Sequence, residues 1–163
     1  TGILKHFKFL HDEAQDSSKT KVEEIIDACD KMGKVRTGAL IVIQRTTHLD
    51  FVRQTGDQMN IEVNRPILES IFFKNSTLHD GAVIIEDNTI VATRAILPVS
   101  NERNIPLRFG LRHRAAVGIT EKTDAVALVV SEETGNISYL KDGEFVLFKN
   151  LTELIEILRK DLS

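Results

Sequence analysis

Ala125-Val126-Ala127-Leu128-Val129-Val130 is an unbroken aliphatic run, followed at once by the polar turn Ser131-Glu132-Glu133-Thr134-Gly135. A short run rich in β-branched residues and bounded by turn residues predicts a strand buried on both faces. Two more runs share this character: Ala39 to Ile43 after Gly38, and Ala82 to Ile85 after Asp80-Gly81. Around them lie segments with helical period. Val22, Ile25, Ile26, Cys29 and Met32 form the stripe of a helix predicted from Lys19 to Met32, with Thr20 and Glu23 as a capping box and Gly33 as its stop. Asn64 caps a second helix, with Pro66 in its first turn, that runs to about Phe73. A third starts near Leu111 and ends near Thr120. The last, capped by Asn150 and Glu153, aligns Leu151, Leu154, Ile155, Leu158 and Leu162. Asp87-Asn88 turns the second aliphatic run into a strand from Ile90 to Leu97, predicting a hairpin. Gly135-Asn136 and Asp142-Gly143 mark turns around strands from Ile137 to Leu140 and from Phe145 to Phe148. The stretch after Ile43 is polar, with its turn at Gly56-Asp57. Buried strands interleaved with helices define the fold class: a single α/β domain with a mixed, mostly buried β-sheet flanked by helices.

Composition agrees. The 163 residues suffice for one domain with a real core, and 42% apolar with 28% charged residues is ordinary globular usage. The single cysteine, Cys29, excludes an intramolecular disulfide and a Cys-rich zinc cluster, and its place on the apolar stripe makes it a core residue. The apolar runs are far shorter than a bilayer span. A net charge of −3 predicts no nucleic-acid partner unless a local basic patch provides one. Residues 1–18 read as a short helical or irregular lead-in, and the domain occupies 19–163. The chain opens at Thr1 without a secretory signal pattern, and Phe7, Phe9 and Leu10 look like the remnant of a severed helix. It therefore reads as a fragment of a longer protein.

Three segments carry residues suited to chemistry. In Leu78-His79-Asp80-Gly81-Ala82 a carboxylate can bind a divalent metal or accept a proton, and Gly81 lets a ligand approach the backbone; a plain Asp-Gly turn is the alternative. From Arg103 to Arg114 the chain holds Arg103, Arg108, Arg112, His113 and Arg114, and no acidic residue until Glu121. Arg112 and Arg114 fall near the start of a helix, where cations oppose the macrodipole. A bound anion such as phosphate would supply the missing negative charge; a solvated basic face, or pairing with distant carboxylates, is the alternative. Ser131 to Gly135 follows a buried strand at its carboxyl end, where ligands gather in open α/β sheets, although such a turn is also common without a ligand. No Walker A loop, dinucleotide glycine fingerprint, His-Glu-x-x-His or Gly-x-Ser-x-Gly element is present.

Together these segments resemble the diadenylate cyclase (DAC domain) family. The resemblance rests on Asp80-Gly81-Ala82 and Arg112-His113-Arg114, about thirty residues apart, and extends through His79, Leu97-Pro98, Ala115-Ala116-Val117-Gly118 and Ser131 to Gly135. It runs roughly from Val22 to Phe148 and is strongest toward the catalytic domain of the membrane-tethered CdaA type. It implies the diadenylate cyclase fold and a nucleotidyl transfer that joins two ATP into cyclic di-AMP. Asp80 would then bind a divalent metal, Mn²⁺ or Mg²⁺, and activate the ribose 3′-hydroxyl. Gly81 and Ala82 would meet the nucleotide, Leu97 the adenine edge, and Arg112, His113, Arg114 and Ser131 the phosphates. His79 and Glu133 would be further metal ligands. Two positions depart from the family: Leu111 stands where many relatives carry Thr, and Ile96 where some stack an aromatic on the adenine.

The resemblance also implies a head-to-head homodimer, each copy holding one ATP, and tethering to the cytoplasmic face of the bacterial plasma membrane through a removed N-terminal region. Two other functions fit the same residues: a non-catalytic nucleotide-binding sensor, and a metal-dependent phosphohydrolase using Asp80 and Glu133. The first would not need the Asp80 carboxylate, and the second needs a denser set of carboxylates and histidines.

Overall fold

The computed structural model describes residues 20–100, 105 and 109–163. The lead-in of 1–18, with Arg103 and Arg108, lies outside the described residues. The elements are α1 (Val22–Lys34), β1 (Ala39–Ile43), α2 (Asp50–Arg53), β2 (Asp57–Glu62), α3 (Arg65–Phe72), β3 (Ala82–Glu86), β4 (Thr89–Ala95), α4 (Leu111–Lys122), β5 (Val126–Val130), β6 (Ile137–Lys141), β7 (Glu144–Val146) and α5 (Leu151–Leu162). They build one seven-stranded sheet in the order β2-β4-β3-β1-β5-β6-β7. Only β1 and β3 pair in parallel; the other neighbours are antiparallel.

The three aliphatic runs are the central strands, and β1 and β5 are buried at every position. Alternation divides their side chains between two cores. Ile41, Ile43, Val83, Ile85, Leu128 and Val130 join the stripe of α1 with Leu68, Ile71 and Phe72 of α3 and Leu154 and Leu158 of α5. Leu40, Val42, Ile84, Ala127 and Val129 pack on the other face against Ala115, Ala116, Val117 and Ile119 of α4 and Val52 of α2. Cys29 is fully buried, and burial raises its thiol pKa to about 12, so it is an inert core residue.

Local signals explain most boundaries. Asn64 Oδ1 accepts from Ile67 N at 3.0 Å and Asn150 Oδ1 from Glu153 N at 2.9 Å, so both caps form as the sequence predicts. Asp87 and Asn88, with φ of 47° and 61°, make the tight turn between β3 and β4. Two expectations fail at α1. Its N-cap is Lys21, with no side-chain cap bond, so Thr20 and Glu23 form no capping box. The Lys21 amide instead donates to Asn88 Oδ1 at 2.9 Å, a partner 67 residues away. The helix also runs through Gly33 to Lys34 rather than stopping at the glycine. The polar stretch after Ile43 contains a strand that its composition hides, although Met59, Ile61 and Val63 alternate with Asn60 and Glu62. β2 lies at the sheet edge, and only Met59 and Ile61 of its side chains pack on the core.

Leu128 lies between Ile41 and Tyr139 across the sheet and is fully buried. Leu128→Ala should lower unfolding free energy by about 2–5 kcal/mol, read as a lower urea midpoint at unchanged slope.

Candidate active site

Mixed strand directions assemble the site. Because β1 parallels β3 and both have antiparallel neighbours, the starts of β1 and β3 lie beside the ends of β4 and β5. Asp80-Gly81 precedes β3, Ile96-Leu97 follows β4, and the Ser131 turn follows β5. The first turn of α4 completes the wall. These elements enclose a cavity of about 1380 Å³, lined by Leu40, Asp80, Gly81, Ile96, Leu97, Phe109, Arg112, His113, Ser131 and Glu133 among others. The rule that ligands gather at carboxyl ends of strands holds for β4 and β5 and is reversed for β1 and β3, since the sheet is mixed.

Gly81 has φ of +81°, and a Cβ there would lie 2.8 Å from the Arg94 carbonyl carbon and 2.9 Å from the Ala95 oxygen. Glycine is required by both the dihedral and the close approach. The side chain of neighbouring Asp80 is 84% exposed at the cavity edge. His79 Nδ1 lies 2.8 Å from the Ser76 carbonyl oxygen, which can only accept, so that nitrogen carries the proton. Its Nε2 then faces Asp80 Oδ1 at 3.4 Å, a spacing that two ligands of one cation can have.

Arg112 lies across the start of β1: a Cβ on Gly38 would fall 2.5 Å from a terminal guanidinium nitrogen. Its one carboxylate neighbour among the described residues is Glu132, with Nη1 to Oε1 at 3.7 Å. That pair partly answers the sequence argument that no acidic group is near, but it is long and Glu132 is largely exposed. The first turn of α4 has no acidic residue and its N-cap, Gly110, offers no side-chain cap. Arg112 and the open amides of that turn together suit an anion.

His113 is buried, with its ring 4.6 Å from that of Phe109, which stacks on Phe145 at 4.7 Å. Burial first, and the charge of Arg112 second, hold its pKa below the usual histidine range. It stays neutral near pH 7, so the cavity's cationic charge on α4 is that of Arg112. Ser131 Oγ accepts from the amides of Glu133 and Thr134, both at 3.2 Å, while Arg36 Nη1 holds the Glu133 carbonyl at 2.9 Å. The turn is thereby held in shape, and the Ser131 proton remains available to donate.

Several candidates stand elsewhere. Arg114 does not line the cavity, because residues two apart on a helix point to different sides. Ala82 is fully buried in the core beside α4, so its side chain cannot meet a ligand. His79, Asp80 and Glu133 form no single cluster: among the described residues, no group of three His, Cys, Asp or Glu could hold an ion. Leu111 and Ile96, 75% and 70% exposed, stand at the cavity mouth. Sequence reasoning missed Gly38, Phe109 and Phe145. The spacing of Phe109 and His113, four apart at a helix start, was the available signal.

Fold and cavity define a mixed-sheet α/β domain with a large cavity at one end of the sheet, against a helix start. The chain belongs to the DAC family, described as DisA bacterial checkpoint controller nucleotide-binding, whose family model matches residues 26–145. It is 44% identical over 143 residues to the diadenylate cyclase of Listeria monocytogenes, covering 86% of this chain and 52% of that protein. It is 42% identical over 139 residues to the cyclic di-AMP synthase CdaA of Bacillus subtilis, covering 85% and 50%. The chain thus spans about half the length of these curated relatives. The crystal structure of a double mutant of DacA from Staphylococcus aureus superposes with a TM-score of 0.83 at 38% identity, covering 86% of this chain and 94% of that one.

Arg112→Ala should weaken binding of a nucleoside triphosphate by about 1.5–3 kcal/mol, whereas Arg114→Ala should change it much less. Titration calorimetry on the two variants separates them, and equal losses would return Arg114 to the site.

Proposed function

We propose that the chain is the catalytic domain of a diadenylate cyclase, condensing two ATP into cyclic di-AMP with release of two pyrophosphates. The observation that supports it best is the convergence of Asp80-Gly81, Arg112 and Ser131 on one cavity, from three separated segments. At about 1380 Å³ the cavity exceeds the ~300–1,000 Å³ of an ordinary small-ligand cleft. Leu40, Leu97 and Ile96 line the cavity as an aliphatic surface suited to the purine, and the Leu97 backbone would meet its edge. Arg112, the first amides of α4 and the Ser131 hydroxyl receive the phosphates, with the neutral His113 ring as a fixed wall beside them.

In the proposed step the ribose 3′-oxygen of one ATP attacks the α-phosphorus of the other. Its proton passes to the Asp80 carboxylate, the new P–O bond forms, and the bond to the bridging oxygen breaks to release pyrophosphate. Positioning and charge neutralisation supply most of the acceleration. The donors present suit a divalent cation held mainly by its substrate: Asp80, with His79 Nε2 beside it, gives one or two ligands, and phosphate oxygens and water give the rest. Such a cation would neutralise charge on the triphosphate. Glu133 lies on the opposite turn and would reach it only as a further ligand.

The reading includes a homodimer. Ile96, Leu111 and Leu147 are 70%, 75% and 88% exposed around the cavity mouth, an apolar rim suited to a second copy facing the first. It also includes tethering to the cytoplasmic face of the bacterial plasma membrane, on the similarity to CdaA. Among the described residues no helix is long and apolar enough to cross a membrane, so an anchor would lie elsewhere.

Incubation with ATP and Mn²⁺ or Mg²⁺ should yield cyclic di-AMP, at a rate per chain that rises with protein concentration. ADP and phosphate would indicate a phosphohydrolase, and binding without product a sensor. Asp80→Asn should leave the melting temperature and ATP binding nearly unchanged, since the side chain is exposed, while cyclisation falls by at least about a hundredfold. Near wild-type turnover in that variant would remove Asp80 from the chemistry.

A further inference from the structure

Arg94 lies at the end of β4 with φ of 54°, a conformation that a long L side chain seldom adopts. It belongs to a bulge. β3 advances two residues from Ala82 to Ile84, while their partners on β4, Ala95 and Ala92, are three apart. The extra residue makes β4 bend where it meets Gly81, whose missing Cβ would lie 2.9 Å from Arg94 Cα. The backbone that presents Asp80 to the cavity therefore rests on the bend at Arg94.

Something must hold that bend, because a left-handed arginine is not its own best conformation. Arg94 Nε and Nη2 donate to the two carboxylate oxygens of Asp57, at 2.6 and 2.9 Å. Next to it, the Ile96 amide donates to Thr55 Oγ1 at 2.8 Å, and that hydroxyl donates to the Val52 carbonyl at 2.6 Å. A second, smaller cavity lies between this loop and Asp80, so the clamp is close to the site yet outside its walls.

We infer that the paired fork of Arg94 on Asp57 is a positioning device for Asp80, holding β4 in its left-handed bend so that Gly81 and the carboxylate before it keep their place at the cavity. The inference rests on the proposed cyclase reading for its kinetic consequence and on geometry alone for its structural one. Asp57 and Arg94 touch no reacting atom in this scheme; both act through the backbone.

Asp57→Ala removes the fork. Turnover at saturating ATP should fall about a hundredfold, the scale of a small misplacement of a reacting group, with KM for ATP little changed. Amides of Gly81, Ala82, Ala95 and Ile96 should exchange hydrogen faster, while those of β1 and β5 keep their protection. Glycine adopts φ near +54° without help, so Asp57→Ala combined with Arg94→Gly should recover turnover, and Arg94→Gly alone should cyclise near the wild-type rate. A double variant as slow as Asp57→Ala, an inactive Arg94→Gly, or exchange unchanged at Gly81 and Ala95 would overturn the inference. A wild-type protein that makes no cyclic dinucleotide would instead refute the cyclase reading, and the exchange measurement would still judge the clamp.

Discussion

The parallel pairing of β1 with β3, in register Ile41 to Val83, flanked by antiparallel β5 with Ile41 opposite Leu128, sets the beginnings of two strands beside the ends of two others. Gly38, Asp80, Leu97 and Ser131, distant in sequence, therefore meet at one end of the sheet. The pairing is strongly specified. With β1 and β5 buried on both faces, a slip of one residue would exchange every side chain between the two cores. One face packs on α1, α3 and α5, whereas the other meets the small residues Ala115 and Ala116 of α4. Register and site geometry are thus fixed by the same packing.

Within the site, charge is concentrated rather than spread. Arg112 is pressed against the backbone at Gly38, and its long contact with exposed Glu132 leaves the fork open to a better partner. His113, packed on Phe109 and depressed in pKa by burial, contributes shape and not charge. The cavity's carboxylates are Glu132 and Glu133 of the turn after β5 and Asp80, which is exposed and, among the described residues, paired with His79 alone, at 3.4 Å. An arginine and a carboxylate lining one cavity, joined to other side chains only by contacts of 3.7 and 3.4 Å among the described residues, suit a ligand that carries both anionic groups and a bound cation.

The cavity is also incomplete in chemical terms. On the proposed reading one copy would cradle one triphosphate, whereas condensation of two nucleotides needs two, and among the described residues the large apolar side chains most exposed to water, Leu147, Leu111 and Ile96, line this cavity. Beside Asp80-Gly81, β4 bends in an outer part of the sheet, where Arg94 is paired with Asp57 of the edge strand. On the inference drawn above, the edge strand bears on where Asp80 is placed.

The class of fold was legible because aliphatic runs, caps at Asn64 and Asn150, and the Asp87-Asn88 turn are local signals with local causes. The edge strand β2 was overlooked although Met59, Ile61 and Val63 alternate with Asn60 and Glu62, because that alternation is brief and sits within a long polar stretch. The start of α1 was misread because its amide is satisfied by Asn88, a residue no local rule connects to it. At the site, the residue types of Asp80, Arg112 and Ser131 were visible as motifs, together with the anion that a basic helix start asks for. The sequence by itself determined the elements and the chemistry available to them. Which of these residues share a wall was decided by strand direction and helix phase: Arg112 enters the cavity and Arg114 does not, and Ala82 goes to the core. Those are relations between distant segments, and only tertiary packing, which sets the sheet order and presses α4 against it, can specify them.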